Sequence, residues 1–207
     1  MKKILLLAVL LCGIAPTVVA AEDGGEKDKD WSIAMDGRII AAKGGENNVH
    51  RGTVYVEKKV TEELGLFFFG SAEQGERSAY TGPAYWVVPE TLQIGLGVGN
   101  SKYDLGDGYG SHRVVGVWVY YAPMEGMEAE VSLERYSNDP EPWWYQATVK
   151  YNLGERVFVG MLGEKGVGWG PLVGTTLAQH WKVWAVVPIV KDGEDKARFI
   201  TVLGYSY

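Results

Sequence analysis

The chain has 207 residues, with 20 basic and 26 acidic side chains and a formal charge of −6. That balance excludes the basic face a nucleic-acid binder needs, and a 46% hydrophobic content excludes a disordered chain. One cysteine and three histidines exclude a disulfide scaffold and a Cys/His-rich metal centre, so no metal or cofactor is expected.

Residues 1–20 open with Lys2 and Lys3, run through an apolar stretch from Ile4 to Ala15, and end on Val18-Val19-Ala20. This is the pattern of a secretory signal peptide. The apolar run is short for a membrane-spanning helix, and Pro16 interrupts it. Cys12 follows Leu11 rather than a small residue, so it reads as part of the discarded segment and not as a lipid-attachment site. Loss of Lys2 and Lys3 takes the charge from −6 to −8. Residues 21–30 are charged and glycine-containing, and read as a solvated leader.

From Trp31 to Tyr207 the chain reads as strands. Thr53–Val60 has ambiguous facing around Glu57, Lys58 and Lys59. Leu92–Gly99 places Leu92, Ile94, Leu96 and Val98 on one face and Gln93, Gly95, Gly97 and Gly99 on the other. Met127–Glu134 alternates cleanly, with Glu128, Glu130, Ser132 and Glu134 opposite Met127, Ala129, Val131 and Leu133. In the next strand Gln146, Thr148 and Lys150 oppose Trp143, Tyr145, Val149 and Tyr151. The last strand puts Phe199, Thr201, Leu203, Tyr205 and Tyr207 on one face.

Two kinds of connection alternate. Short turns fall at 61–64, 88–91, 122–126, 152–155 and 177–180. Longer or more polar segments fall at 43–51, 73–79, 100–112, 137–142, 164–170 and 191–196. Five turns, six loops and two free ends predict twelve strands, with ten or eight as alternatives. A soluble β-sandwich or soluble barrel would show the same alternation.

Aromatic placement separates these options. Tyr80, Tyr136, Trp143, Tyr145 and Trp169 fall near one set of strand ends; Trp31, Tyr120, Tyr121, Tyr151, Trp181, Tyr205 and Tyr207 fall near the other. Two such groups read as membrane-interface girdles. The chain ends on Tyr207, with Tyr205, Leu203 and Phe199 in phase upstream. This resembles the terminal strand of bacterial outer-membrane β-barrel proteins, and the resemblance covers residues 31–207 by pattern. It implies a closed antiparallel transmembrane barrel, porin-like, with short periplasmic turns and longer external loops. It also implies outer-membrane lipid and the barrel-insertion machinery as partners, the latter through the C-terminal strand.

The lumen-facing candidates are then Asp36, Arg38, Gln93, Glu128, Glu130, Glu134, Gln146, Thr148 and Lys150, with Lys182 beside them. Glu128 and Lys150 are placed to pair. Gly95, Gly97 and Gly99 widen one wall, admit close packing, or relieve curvature. The acidic excess favours cations if the lumen holds water. The leading function is a small passive diffusion channel for small solutes. The alternatives are a structural or partner-binding envelope barrel and an outer-membrane hydrolase. For the hydrolase, Ser111 and His112 are adjacent and point to opposite faces, which prevents a nucleophile–base pair on a regular strand. Asp104, Asp107 and His112 share one loop, where acids are ordinarily solvated.

Overall fold

The computed structural model describes residues 30–42, 48–106, 108–190 and 197–207. The expected signal peptide, nearly all of the expected leader, Asp107 and the 191–196 loop lie outside the described residues. Every regular element described is a strand: β1 (Trp31–Ala42), β2 (Val49–Lys59), β3 (Leu64–Glu73), β4 (Glu76–Val88), β5 (Leu92–Asp104), β6 (Tyr109–Met124), β7 (Met127–Tyr136), β8 (Trp143–Asn152), β9 (Val157–Glu164), β10 (Gly168–Ala178), β11 (Trp181–Val186) and β12 (Ala197–Ser206). Each pairs antiparallel with its neighbours, and β12 pairs with β1, from Ala34↔Ser206 to Ala42↔Ala197. Closure leaves no strand edge unpaired. Twelve strands in sequence order agree with the turn count.

The register is sheared, as a closed sheet of tilted strands requires. Starting at Tyr205, beside the chain end, the paired residues run Met35, Val54, Gly70, Ala79, Asn100 and Arg113. That single row climbs from the end that carries the five turns to the end that carries the loops. Residues at one height therefore step back toward the turn end from each strand to the next.

Period-two alternation gives each strand an outer and an inner face. The outer face is apolar through its middle, where Leu66, Leu96, Val117, Val131, Met161 and Val173 are all exposed. An apolar band this continuous is rare on a water-facing monomer. In β2 the ambiguity resolves with Glu57 inward, where its carboxylate meets Tyr55 and Gln93, and Lys58 outward over Trp31.

Two expected loops are largely strand. The 73–79 segment turns on Gln74 and Gly75 alone, with Gly75 at φ 85°, and the 100–112 segment keeps only 105–108 outside the ladder. At this rim both faces are polar: Ser78 and Ser101 point inward, Arg77 and Lys102 outward. The pleat is present but carries no hydropathy contrast, so the pattern vanishes from the sequence.

The interior is not uniformly polar either. Ile40, Phe158, Leu162, Leu172, Val186, Ile200 and Val202 form a buried cluster inside the β9–β12 and β1 wall. Both faces of β12 are apolar there, with Phe199 and Leu203 outside and Ile200 and Val202 inside.

Candidate functional site

The barrel encloses a cavity of about 1190 Å³. Its lining reaches Ser32, Glu90 and Tyr207 at the turn end and Asp139, Glu141 and Lys165 at the loop end. Asp36, Arg38, Gln93, Glu128, Glu130, Glu134, Gln146, Thr148 and Lys150 all line it, as does Lys182.

A charged brace crosses the interior between β1, β2, β8 and β9. Arg38 donates from Nε and Nη2 to both carboxylate oxygens of Asp36, at 3.0 and 3.1 Å. Its Nη1 reaches Gln146 Oε1 at 2.5 Å and Glu164 Oε2 at 3.2 Å. Glu164 also pairs with Arg51, and Arg51 Nε donates to Glu73 at 2.6 Å. Glu164 is only 1% exposed and joins both guanidiniums. Arg51, Glu73 and Glu164 escaped sequence reasoning because each stands at the edge of a segment assigned to a loop. No hydropathy signal marks Glu164, whose inward neighbours in β9 are Phe158 and Leu162.

A second interior group is aromatic. Phe67, Tyr55 and Trp118 meet at centroid distances of 5.7–6.0 Å. Tyr80 stacks on Phe69 at 4.7 Å and meets Phe67 edge-on. Tyr80 and Tyr136 were expected in the outer girdle; both point inward instead, and donate to the two oxygens of Glu134 at 3.1 and 2.6 Å. Strand position gave their height correctly and their side wrongly. The pleat carried the information, since Tyr136 is in phase with Glu134 and Tyr80 with Ser78. Tyr120 also faces in, beside Trp86. Trp31, Tyr121, Tyr151 and Trp181 lie on the outer face near the turn end, with Tyr205 and Tyr207 at the mouth there, where they also border the cavity; Tyr145 and Trp169 lie on the outer face toward the loop end, with Trp143 at that rim and also bordering the cavity. Tyr85, outward near the turn end, belongs with the first group and was missed.

The glycine wall has a definite use. A Cβ on Gly95 would meet the Trp118 indole, and one on Gly97 would meet Tyr80 and Phe67. These glycines let aromatic rings lie against the wall, so the space they leave is occupied rather than open.

The lining charges are unevenly matched. Lys150 Nζ donates to Glu128 at 2.8 Å, as its spacing suggested. Glu57, Glu76 and Glu134 are held by neutral donors: Tyr55 with Gln93, Ser101, and Tyr80 with Tyr136. Among the described residues Glu130 has no hydrogen-bond or ion-pair partner. Lys182, by contrast, stands over the Phe158 ring. Glu57, Glu76, Glu90, Glu130 and Glu134 thus line the cavity without an ion pair.

Two of the three histidines contact carbonyls. His112 Nδ1 meets the Ser137 carbonyl and His180 Nδ1 the Ser206 carbonyl. His112 Nε2 lies 3.9 Å from Asp139.

No family model matches the sequence, and no curated protein matches it. Two solved structures share its architecture. The outer membrane phospholipase A from Escherichia coli superposes with a TM-score of 0.52 at 8% identity, covering 89% of this chain and 93% of its own. A KdgM porin in complex with disordered oligogalacturonate gives 0.51 at 11% identity, covering 84% and 99%. This chain has the fold of an outer-membrane β-barrel. One neighbour is a porin and the other an enzyme, so the likeness carries the barrel and leaves the chemistry to the residues.

Proposed function

We propose that the barrel sits in the bacterial outer membrane after secretion and removal of residues 1–20, and works there as a passive channel for small polar solutes with a preference for cations. The observation that carries this reading is the cavity, which reaches both ends of the barrel between charged, polar and aromatic side chains. Buried charge is stable only when it is paired or hydrated. Glu130 is exposed in the lumen and makes no hydrogen bond or ion pair of its own, feeling only the Lys150 charge from beyond ion-pair distance. The unmatched carboxylates raise the local concentration of cations over anions.

The test is a planar-bilayer recording of refolded protein across a potassium chloride gradient. Discrete conductance steps are expected, with a reversal potential of the sign that potassium permeation gives. Glu130→Gln leaves the fold intact and lowers the potassium-to-chloride permeability ratio about sixfold at low salt, since a unit charge at ~8 Å in water is worth about 0.5 kcal/mol in favour of potassium and about 0.5 kcal/mol against chloride. A silent bilayer would favour the second reading, a structural barrel. The specific observation behind that alternative is the Arg38–Glu164–Arg51 brace across the interior.

The outer face has its own test. Leu133→Arg places a cation in the middle of the apolar band and is expected to cost about 2–4 kcal/mol of stability in lipid vesicles. Urea titration of folded protein in vesicles measures it. No loss would mean that the band does not meet hydrocarbon.

A further inference from the structure

Charge on the outer face is sorted by sign. Within the described strands the acids point inward, Asp36, Glu57, Glu73, Glu76, Glu128, Glu130, Glu134 and Glu164 among them; Asp104 points outward. Four cations do the opposite: Arg77 on β4, Lys102 on β5, Arg113 on β6 and Arg135 on β7 are all outward and exposed. In a chain with an acidic excess, a random distribution would place acids among them.

The register makes these four a belt. Arg77 pairs directly with Lys102. Arg113 pairs with Asn100, one outward position below Lys102, and Arg135 pairs with Val115, one outward position below Arg113. A stepwise descent toward the turn end with rising strand number is what constant height demands in this sheared barrel. Four neighbouring strands place the cations across roughly 15 Å. Below them the outer face runs through Ala79, Asn100, Val115 and Leu133 and then Val98 and Val117, so the belt marks the loop-end border of the apolar band.

The belt lacks internal compensation. Like charges directly opposite each other on paired strands repel, and Arg77 faces Lys102. Among the described residues none of the four has an ion pair; Arg135 rests on the Trp143 ring at 5.7 Å. Nearby acids are occupied or displaced: the Asp104 carboxylate caps the Gly106 amide, Asp139 approaches His112, and Glu141 pairs with Lys165. Beside Arg113 lies a recess of about 470 Å³ lined by Asn100, Ser111, His112, Ser137 and Asn138, a largely donor-capable surface.

We propose that this belt binds the phosphates of an outer-leaflet lipid headgroup carrying more than one phosphate. The inference rests on the membrane reading above. Guanidinium forks match phosphate oxygens two at a time, and headgroup phosphates occupy the depth at which an apolar outer band ends. A multiply phosphorylated headgroup can neutralise Arg77 and Lys102 together while reaching Arg113.

Native mass spectrometry of the full-length protein in detergent micelles tests this. The probes are diphosphorylated lipid A, the same lipid without phosphates, phosphatidylglycerol, and inorganic phosphate as competitor. Lipid A is expected to form a stoichiometric adduct, and the quadruple variant Arg77→Gln/Lys102→Gln/Arg113→Gln/Arg135→Gln to bind it roughly six-hundredfold more weakly, at about fivefold per cation removed. Equal retention by the quadruple variant, equal binding of the dephosphorylated lipid, or equal binding of phosphatidylglycerol would each overturn the proposal. So would displacement by inorganic phosphate, which would assign the belt to a free anion. If the quadruple variant does not fold, the lipid series on unaltered protein decides alone. Failure of the unaltered protein to insert into vesicles would mark the membrane reading, not the belt, as the error.

Discussion

Glu164→Gln is expected to destabilise the folded barrel by about 3 kcal/mol, at the lower end of the range for removing one partner from a buried ion pair. Glu164 is 1% exposed and is the one carboxylate that joins Arg38 to Arg51. Without its charge two guanidiniums remain close together inside the barrel, each with a single carboxylate, Asp36 and Glu73 respectively. Those remaining partners keep the cost from reaching the top of the range. Urea unfolding in vesicles should show the midpoint lowered by about 1 M or more. A double variant, Glu164→Gln/Arg38→Gln, should recover part of the loss, because it removes one of the two cations that repel each other once Glu164 no longer stands between them. The same substitution takes one negative charge from the interior, so the potassium preference of the channel falls as well. An unchanged midpoint would show that the brace is solvated and carries little of the fold.

How far the sequence revealed this structure depends on whether a strand's two faces differ. Where they do, as in β7 with Glu128, Glu130 and Glu134 against Val131 and Leu133, facing and register were both legible. Strand number was legible as well, because turn chemistry survives at the tight end: Gly126 adopts φ 78° and Gly154 φ 143°. Legibility failed where the two faces are alike. The polar rim of β3–β6 reads as loop, and the doubly apolar β9 and β12 hide the interior cluster around Phe158 and Ile200. Tyr80 and Tyr136 failed differently. Their height matched a girdle, and a tyrosine suits either a headgroup layer or a buried carboxylate, so only its phase against Glu134 decides. The brace was beyond reach altogether. It joins Arg38, Arg51 and Glu164 across the lumen, and contacts between walls follow from curvature that no local pattern encodes.

Trp118→Ala should produce the other large effect, and its sign differs between stability and transport. The indole lies edge-on to Tyr55 and Phe67, at 5.7 and 6.0 Å, over the space that Gly95 leaves free. Its Nε1 is buried with no hydrogen-bond partner, so truncation sacrifices packing and no hydrogen bond. Loss of a packed tryptophan costs about 3–5 kcal/mol, and the lower figure applies because this ring also borders the cavity. The vacated volume opens onto that cavity, so single-channel conductance should rise while the unfolding midpoint falls. Gly95→Ala supplies the reciprocal measurement. The added methyl meets the same indole and is expected to cost about 1–3 kcal/mol by overpacking. With Trp118 already reduced to alanine, however, that methyl enters free space, and the Gly95→Ala cost should largely disappear. Strong coupling between the two sites would establish that the glycine is there to seat the ring. Additive costs would mean that Gly95 answers to sheet curvature instead, and that the aromatic group narrows the lumen without being seated by the β5 wall.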